Sequence, residues 1–354
     1  MAKSKTKKDK NAPRFNYTEE LRKLKEQGPE RMYFIWGPED YLSGCFVDEI
    51  RKICVPEGVA DFSYHKFGDR DFSARALADA IDSVPFLTER TMVEVKGIDL
   101  NKLKEDEVEE LLEALADIPD YCTVVFSEPS EFEPDKRKKI YKKLPKCCSE
   151  LYVNSQTPDA LINWVIRRFG AEGKRIDLNA VQRLIFVSGD LMNKLIPEIN
   201  KIVSYSKGSL VTVADVDAVA HHIPESVVFE MTECLGNGEI GKAMFLLDEL
   251  LASKECDEFV IVAVLGNQMR KLYGAKMALE CGQGKDYLKN YCGVNFDFQA
   301  NKLLTAANRF NAGQLRRAVE LCAETDYKIK SSRTDPKELL KECVMRIAAG
   351  ESDV

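Results

Sequence analysis

The residues best placed for chemistry follow the apolar run Met-Tyr-Phe-Ile-Trp at 32–36: Gly37, Pro38, Glu39, Asp40, Tyr41, Leu42, Ser43, Gly44 and Cys45. A strand that enters a glycine turn and then a helix is where backbone amides cradle phosphates in nucleotide-binding domains. The pattern Gly-x-x-x-x-Gly-Lys-Ser/Thr is absent. Glu39 and Asp40 would meet a triphosphate with like charge, and no lysine follows Gly44 to hold the β and γ phosphates. The run Thr-Met-Val-Glu-Val-Lys at 91–96 does not end in an Asp-Glu pair for magnesium. Without these groups phosphoryl transfer loses its positioning. The sequence therefore predicts neither tight ATP binding nor ATP hydrolysis.

Other chemistries have less to work with. The histidines are His65, His221 and His222, and none stands in a recognisable relation to a nucleophile. His221-His222 lacks a third ligand for zinc and reads as a helix-end feature before Pro224. Eleven cysteines are scattered with no Cys-x-x-Cys, and the adjacent pair Cys147-Cys148 cannot clip a metal in the usual loop geometry. They read as free, mostly buried thiols in a reducing compartment. Acidic pairs such as Asp106-Glu107 and Glu109-Glu110 read as a solvated helix face. The expectation is no catalytic residue, no cofactor and no metal.

The elements that would position these residues fall in two styles. From Arg31 to about Ser155, short apolar runs alternate with amphipathic stretches, as in a mostly parallel sheet flanked by helices. The expected strands are 32–36, 61–67, 91–96, 122–126 and 151–153, with helices at Tyr41–Ile53, Ser73–Val84, Glu105–Ala116 and Asp135–Leu144. In the second helix Ala76, Leu77, Ala80, Ile81 and Val84 make one apolar face, and Pro85 ends it. After Ser155 the strands stop. Helices are expected from Thr157-Pro158, at 177–187, 190–206 and 212–221, then after a linker at His222–Glu225, at 226–236, 239–252, 256–281, 296–310, 313–330 and 335–349. At 354 residues, two or three packed units are the default.

Charge narrows the partners. The 51 Lys and Arg against 58 Asp and Glu give a net charge of -7, which argues against lone binding of nucleic acid through a broad basic face. The first fourteen residues carry six basic side chains against Asp9, and read as a solvated tail or a nucleic-acid arm. Lys328, Lys330, Arg333 and Lys337 form a second basic group, and Lys136, Arg137, Lys138, Lys139 and Lys142 a third, each readable as a solvated face. No apolar core follows the N-terminal lysines, and no run reaches the ~20 apolar residues that span a bilayer, so the expected location is the cytosol.

Several segments resemble one family. Gly37-Pro38-Glu39-Asp40-Tyr41-Leu42 is similar to the Gly-x-Glu-x-Tyr-Leu of the delta subunit of the bacterial DNA polymerase III clamp loader. Val84-Pro85-Phe86-Leu87-Thr88-Glu89-Arg90 resembles that family's Pro-Phe-Phe-x-x-Arg, with Leu87 in place of the second Phe. Asp135 to Tyr141 resembles its Asp-x-Arg-x-x-x-Tyr, Val228 to Thr232 its collar-domain opening, and Asp326 to Lys330 its Asp-x-x-x-Lys.

The resemblance implies a degenerate AAA+-like fold, α/β plus all-α. A five-stranded parallel sheet domain at 31–155 would follow a basic, disordered tail at 1–30 and precede a small helical lid at 156–224 and a helical collar at 225–354. It implies a non-catalytic subunit of the polymerase assembly, whose partners are the beta sliding clamp, the gamma/tau ATPase subunits, the delta-prime subunit and primer-template DNA. It assigns clamp binding to Phe86 and Leu87 as an apolar wedge. From the residues alone the favoured reading of the pair is ordinary core packing, since most large apolar residues are buried, and it is the resemblance that reverses this. A helical adaptor with a degenerate nucleotide-binding domain is the alternative reading.

Overall fold

The computed structural model describes residues 15–55, 63–86, 88–253 and 256–350. The chain forms two compact units, one comprising residues up to Gln156 with Leu191–Asn193, the other Thr157–Asp190 with the chain from Lys194 onward.

The first unit is built on a five-stranded parallel sheet in the order β2-β3-β4-β1-β5, where β1 is Met32–Trp36, β2 Tyr64–Phe67, β3 Thr91–Lys96, β4 Cys122–Ser127 and β5 Cys148–Tyr152. The central strands β1, β3 and β4 are buried almost end to end, as happens where helices cover both faces of a parallel sheet. Side-chain alternation sorts the two faces. On one, Phe34 meets Phe132 and Tyr141 and shares a core with Leu77, Ile81 and Leu111, which come from helices α3 (Ala74–Ile81) and α4 (Glu105–Ala114). On the other, Tyr33 stacks edge-on to Phe46 of α2 (Asp40–Cys54), and Phe15 caps the same ring.

Differences from the expected elements have local causes. The stretch expected to be part of a disordered tail contains helix α1 (Tyr17–Gln27): Asn16 accepts the Glu19 N–H and buried Leu24 anchors the turn. The basic residues 1–14 lie outside the described residues. The helix expected over Asp135–Leu144 shrinks to one turn, α5 (Lys139–Lys142), because the Asp135 carboxylate accepts bonds from the Arg137 backbone and guanidinium and holds a turn there. Helix α3 stops at Ile81, three residues short, since a residue before proline avoids the helical region and Val84 precedes Pro85.

In the second unit, helix α6 (Pro158–Ala171) opens on the Thr157 cap as expected. Strands do not stop at 155: Arg175–Ile176 (β6) pairs in parallel with Leu210–Val211 (β7), a pair too short for periodicity to register. Helix α6 packs against β6. Helices α7 (Leu178–Ser188), α8 (Met192–Tyr205, whose first two residues belong to the first unit) and α9 (Val213–Val219) complete this part of the chain, α9 beginning at a capping box of Thr212 with Asp215. Pro224, expected in a linker, is the first residue of α10 (Pro224–Gly236), where its missing N–H costs nothing. Then follow α11 (Ile240–Ala252), α12 (Glu258–Glu280), α13 (Lys285–Tyr291), α14 (Asp297–Ala307), α15 (Ala312–Ser331) and α16 (Pro336–Ala348). The long α12 packs against α14 and α15, and Gly266 lets it approach Cys322 on α15. Helix α13 was not foreseen from periodicity: of its seven residues only Leu288 is buried. The fold class is as expected, a parallel α/β unit followed by a mostly helical one.

Candidate functional site

A parallel sheet has two distinct edges, and the candidate residues divide between them. At the carboxyl edge, β1 runs into the turn where a phosphate loop would lie. Gly37 has φ +133°, and a Cβ there would stand 2.5 Å from the Val153 carbonyl oxygen and 2.8 Å from its nitrogen. Gly37 is thus required by the close passage of the chain beyond β5. The Glu39 N–H donates to the Val153 carbonyl at 3.3 Å, the Ser43 hydroxyl donates to the Glu39 carbonyl at 3.2 Å, and Glu39 Oε2 accepts the Met192 N–H at 3.4 Å. The Glu39 side chain is fully buried in this turn. These groups are engaged within the protein, and the position suited to a phosphate is lined by carboxylate.

A second acid sits at the same edge. Glu128 follows β4, is only 5% exposed, and has no hydrogen-bond partner on either carboxylate oxygen. Burial, with Asp99 adding a smaller repulsion, pushes its pKa up to about 8, so at neutral pH the group is held mostly protonated. Nearby Tyr141 is raised too, by burial and then by Glu128.

The opposite, amino edge carries the predicted wedge. Helix α3 is capped by Ser73 Oγ, which accepts the Ala76 N–H at 3.1 Å, and buries Leu77, Ala80 and Ile81. Beyond Ile81 the chain turns outward. Phe86 is 61% exposed and Val84 71%. Val84, expected on the buried face, therefore belongs to the surface beside Phe86; the Val-Pro step was the signal that could have shown it. Leu87 lies outside the described residues. Immediately after, Thr88, Glu89 and Arg90 line an open cleft of about 610 Å³ together with Gly28, Pro29, Ile53 and Cys54. The apolar loop at the foot of β3 and the turn at the head of β1 stand at opposite ends of strands of five to six residues, roughly 16–20 Å apart.

The remaining candidates are dispersed. His221 uses its backbone N–H on Glu198 at 2.8 Å and its carbonyl on Ser188 at 3.0 Å, the work of a connecting segment. Among the described residues no three His, Cys, Asp or Glu side chains gather to hold a metal. All eleven cysteines are free thiols, with burial pushing Cys122 to about 11 and Cys148 to about 12. Lys330 pairs with Asp326 at 2.6 Å, and in the other basic group Lys136 pairs with Glu150 at 3.3 Å and Lys139 with Glu109. No described helix is long and apolar enough to cross a membrane.

Known proteins resemble the chain along most of its length. Residues 33–154 match the family described as DNA polymerase III, delta subunit, and residues 225–347 match the DNA polymerase III delta subunit, C-terminal domain. The DNA polymerase III subunit delta of Bacillus subtilis (strain 168) is 25% identical over 326 residues, covering 90% of this chain and 93% of that protein. A probable DNA polymerase III subunit delta of Aquifex aeolicus (strain VF5) is 22% identical over 273 residues, 76% of this chain and 77% of that one. The solved Bacillus subtilis DNA clamp loader delta protein superposes with a TM-score of 0.52 at 21% identity, covering 94% of this chain and all of that one.

Proposed function

This chain belongs to the DNA polymerase III delta-subunit family, and from that premise we propose that it binds the ring-shaped beta sliding clamp through the Phe86 loop. In this reading it helps open the ring for loading onto primed DNA during replication. The observation that carries the proposal is the exposure of Phe86 and Val84 at the end of a proline-terminated helix whose own face is buried. Large apolar side chains held out from a rigid element are the usual energetic centres of interfaces. Leu87 would complete the wedge.

Opening is then a shift of population: the wedge supplies the difference between its affinity for the strained-open ring and for the closed one, and no more than that difference. The energy of ATP would come from the gamma/tau subunits, with delta-prime and primer-template DNA as the remaining partners. The missing phosphate-loop lysine and the buried Glu39 carboxyl support a role without ATP hydrolysis by this chain, because they stand at the edge where triphosphate charge would need neutralising. Residues 156–224 would act as the lid and 225–354 as the oligomerising collar, in the cytoplasm.

The test is binding to the cognate sliding clamp by wild type and by Phe86→Ser/Leu87→Ser. Burying a side chain of this size is worth roughly 1.5–3 kcal/mol, so losing two weakens binding by about a hundredfold or more. Unchanged affinity in a folded double variant would remove the wedge. Absence of clamp binding by the wild type would favour a helical adaptor.

A further inference from the structure

The loop that carries Phe86 is tied down by a pair of hydroxyl groups. Thr88 Oγ1 donates to the Arg90 carbonyl at 2.9 Å and lies 2.7 Å from Ser63 Oγ. A threonine hydroxyl has a single proton, and this one is used on Arg90, so Ser63 must be the donor in the second bond. Ser63 is fully buried at the foot of β2, and Arg90 directly precedes β3. The two strands pair in parallel from Tyr64↔Met92, so the relay Ser63 to Thr88 to Arg90 fastens the loop to the foot of the strand pair. On its other side the loop leaves a helix whose last residue, Ile81, is buried in the core. Phe86 thus stands on a segment held at both ends, two residues from the relay.

We propose that Ser63 and Thr88 are positioning residues that pre-organise the Phe86 loop for its partner. The proposal rests on the reading of Phe86 as a clamp contact. A loop already fixed in its bound shape does not lose freedom on association, and its affinity is not reduced by the fraction of time spent in other shapes. Removing the Thr88 hydroxyl deletes both bonds and leaves the Ser63 donor buried without its acceptor. The loop then samples other conformations while the sheet behind it stays intact.

The experiment uses the full chain and the sliding clamp, with Thr88→Val, Thr88→Ser, Ser63→Ala and Phe86→Ser/Leu87→Ser. Clamp affinity is read together with amide hydrogen exchange over 82–90, taking 122–127 as an internal reference. Thr88→Val is expected to weaken binding about tenfold and to speed exchange over 82–90 with no change at 122–127. Thr88→Ser, which keeps the hydroxyl, should stay within about twofold of wild type on both readouts. Ser63→Ala, which spares the bond to Arg90, should fall between them and serves also if Thr88→Val does not fold. Wild-type affinity in Thr88→Val, or in Ser63→Ala where that variant decides, overturns the relay if Phe86→Ser/Leu87→Ser is impaired. If that double variant also binds normally, the wedge reading falls instead. Equal weakening by Thr88→Ser and Thr88→Val, or faster exchange at 122–127 as well, would show a packing defect and likewise overturn the relay.

Discussion

Replacing Glu128 by glutamine should make the first unit more stable, and increasingly so as pH rises. Glu128 is buried behind β4 with both carboxylate oxygens lacking hydrogen-bond partners, and its pKa is raised from an ordinary 4.5 to about 8 chiefly by burial. The unfolded chain therefore releases this proton near pH 4.5 and the folded chain only near pH 8. Between those values the folded state binds more protons, so the wild type loses stability as pH increases, and the loss is complete above about 8. Each pH unit inside the window is worth at most about 1.4 kcal/mol, which bounds the change from pH 5.5 to 8 at roughly 3 kcal/mol; relaxation and water entry reduce it to about 1–3. The glutamine variant cannot ionise and should lack this component. Urea unfolding of both proteins at pH 5.5 and 8, in a Trp164→Phe background so that Trp36 alone reports on the first unit, isolates the effect because every other titrating group is common to both. Parallel pH dependence in the two proteins would refute the argument.

Gly37→Ala should destabilise the first unit by about 2–4 kcal/mol or prevent its folding, since the new Cβ meets three Val153 backbone atoms below 3 Å; a variant that melts with wild type would show that the crossing can open. Thr157→Ala removes the hydroxyl that accepts the Ala160 N–H and should cost the second unit about 1 kcal/mol in denaturant unfolding. A thiol reagent should label exposed Cys281 first, whereas Cys54, Cys122, Cys322 and Cys343 should react only on unfolding, as peptide mass spectrometry would show.

The sequence alone was enough to place β1, β3 and β4, because a strand buried on both faces is a run of apolar residues and the run is local, whereas part-exposed β5, expected at 151–153, runs from Cys148 to Tyr152. It was likewise enough to show the missing phosphate-loop lysine and the like charge of Glu39 and Asp40, which are matters of residue type. Caps at Thr157 and Thr212 were legible for the same reason: the donor and acceptor lie within one turn. Where a side chain competes with its own backbone, as Asp135 does, helical spacing misled, and two-residue strands such as Arg175–Ile176 are shorter than the period that would mark them.

Phe86 shows where the boundary falls. Its sequence context, a proline after an amphipathic helix, favoured a core residue, and only the family resemblance pointed to a surface wedge, because hydrophobicity records what a side chain prefers and says nothing of whether space for it exists behind the sheet. Tertiary structure decided that Phe86 and Val84 face outward, that Gly37 must be glycine because the chain beyond β5 passes against it, and that Glu128 is buried without a partner. It also brought Ser63 within 2.7 Å of Thr88, twenty-five residues along the chain. Each of these depends on which distant segment arrives beside a residue. That is set by the packing of the whole sheet, and no local pattern of residues encodes it.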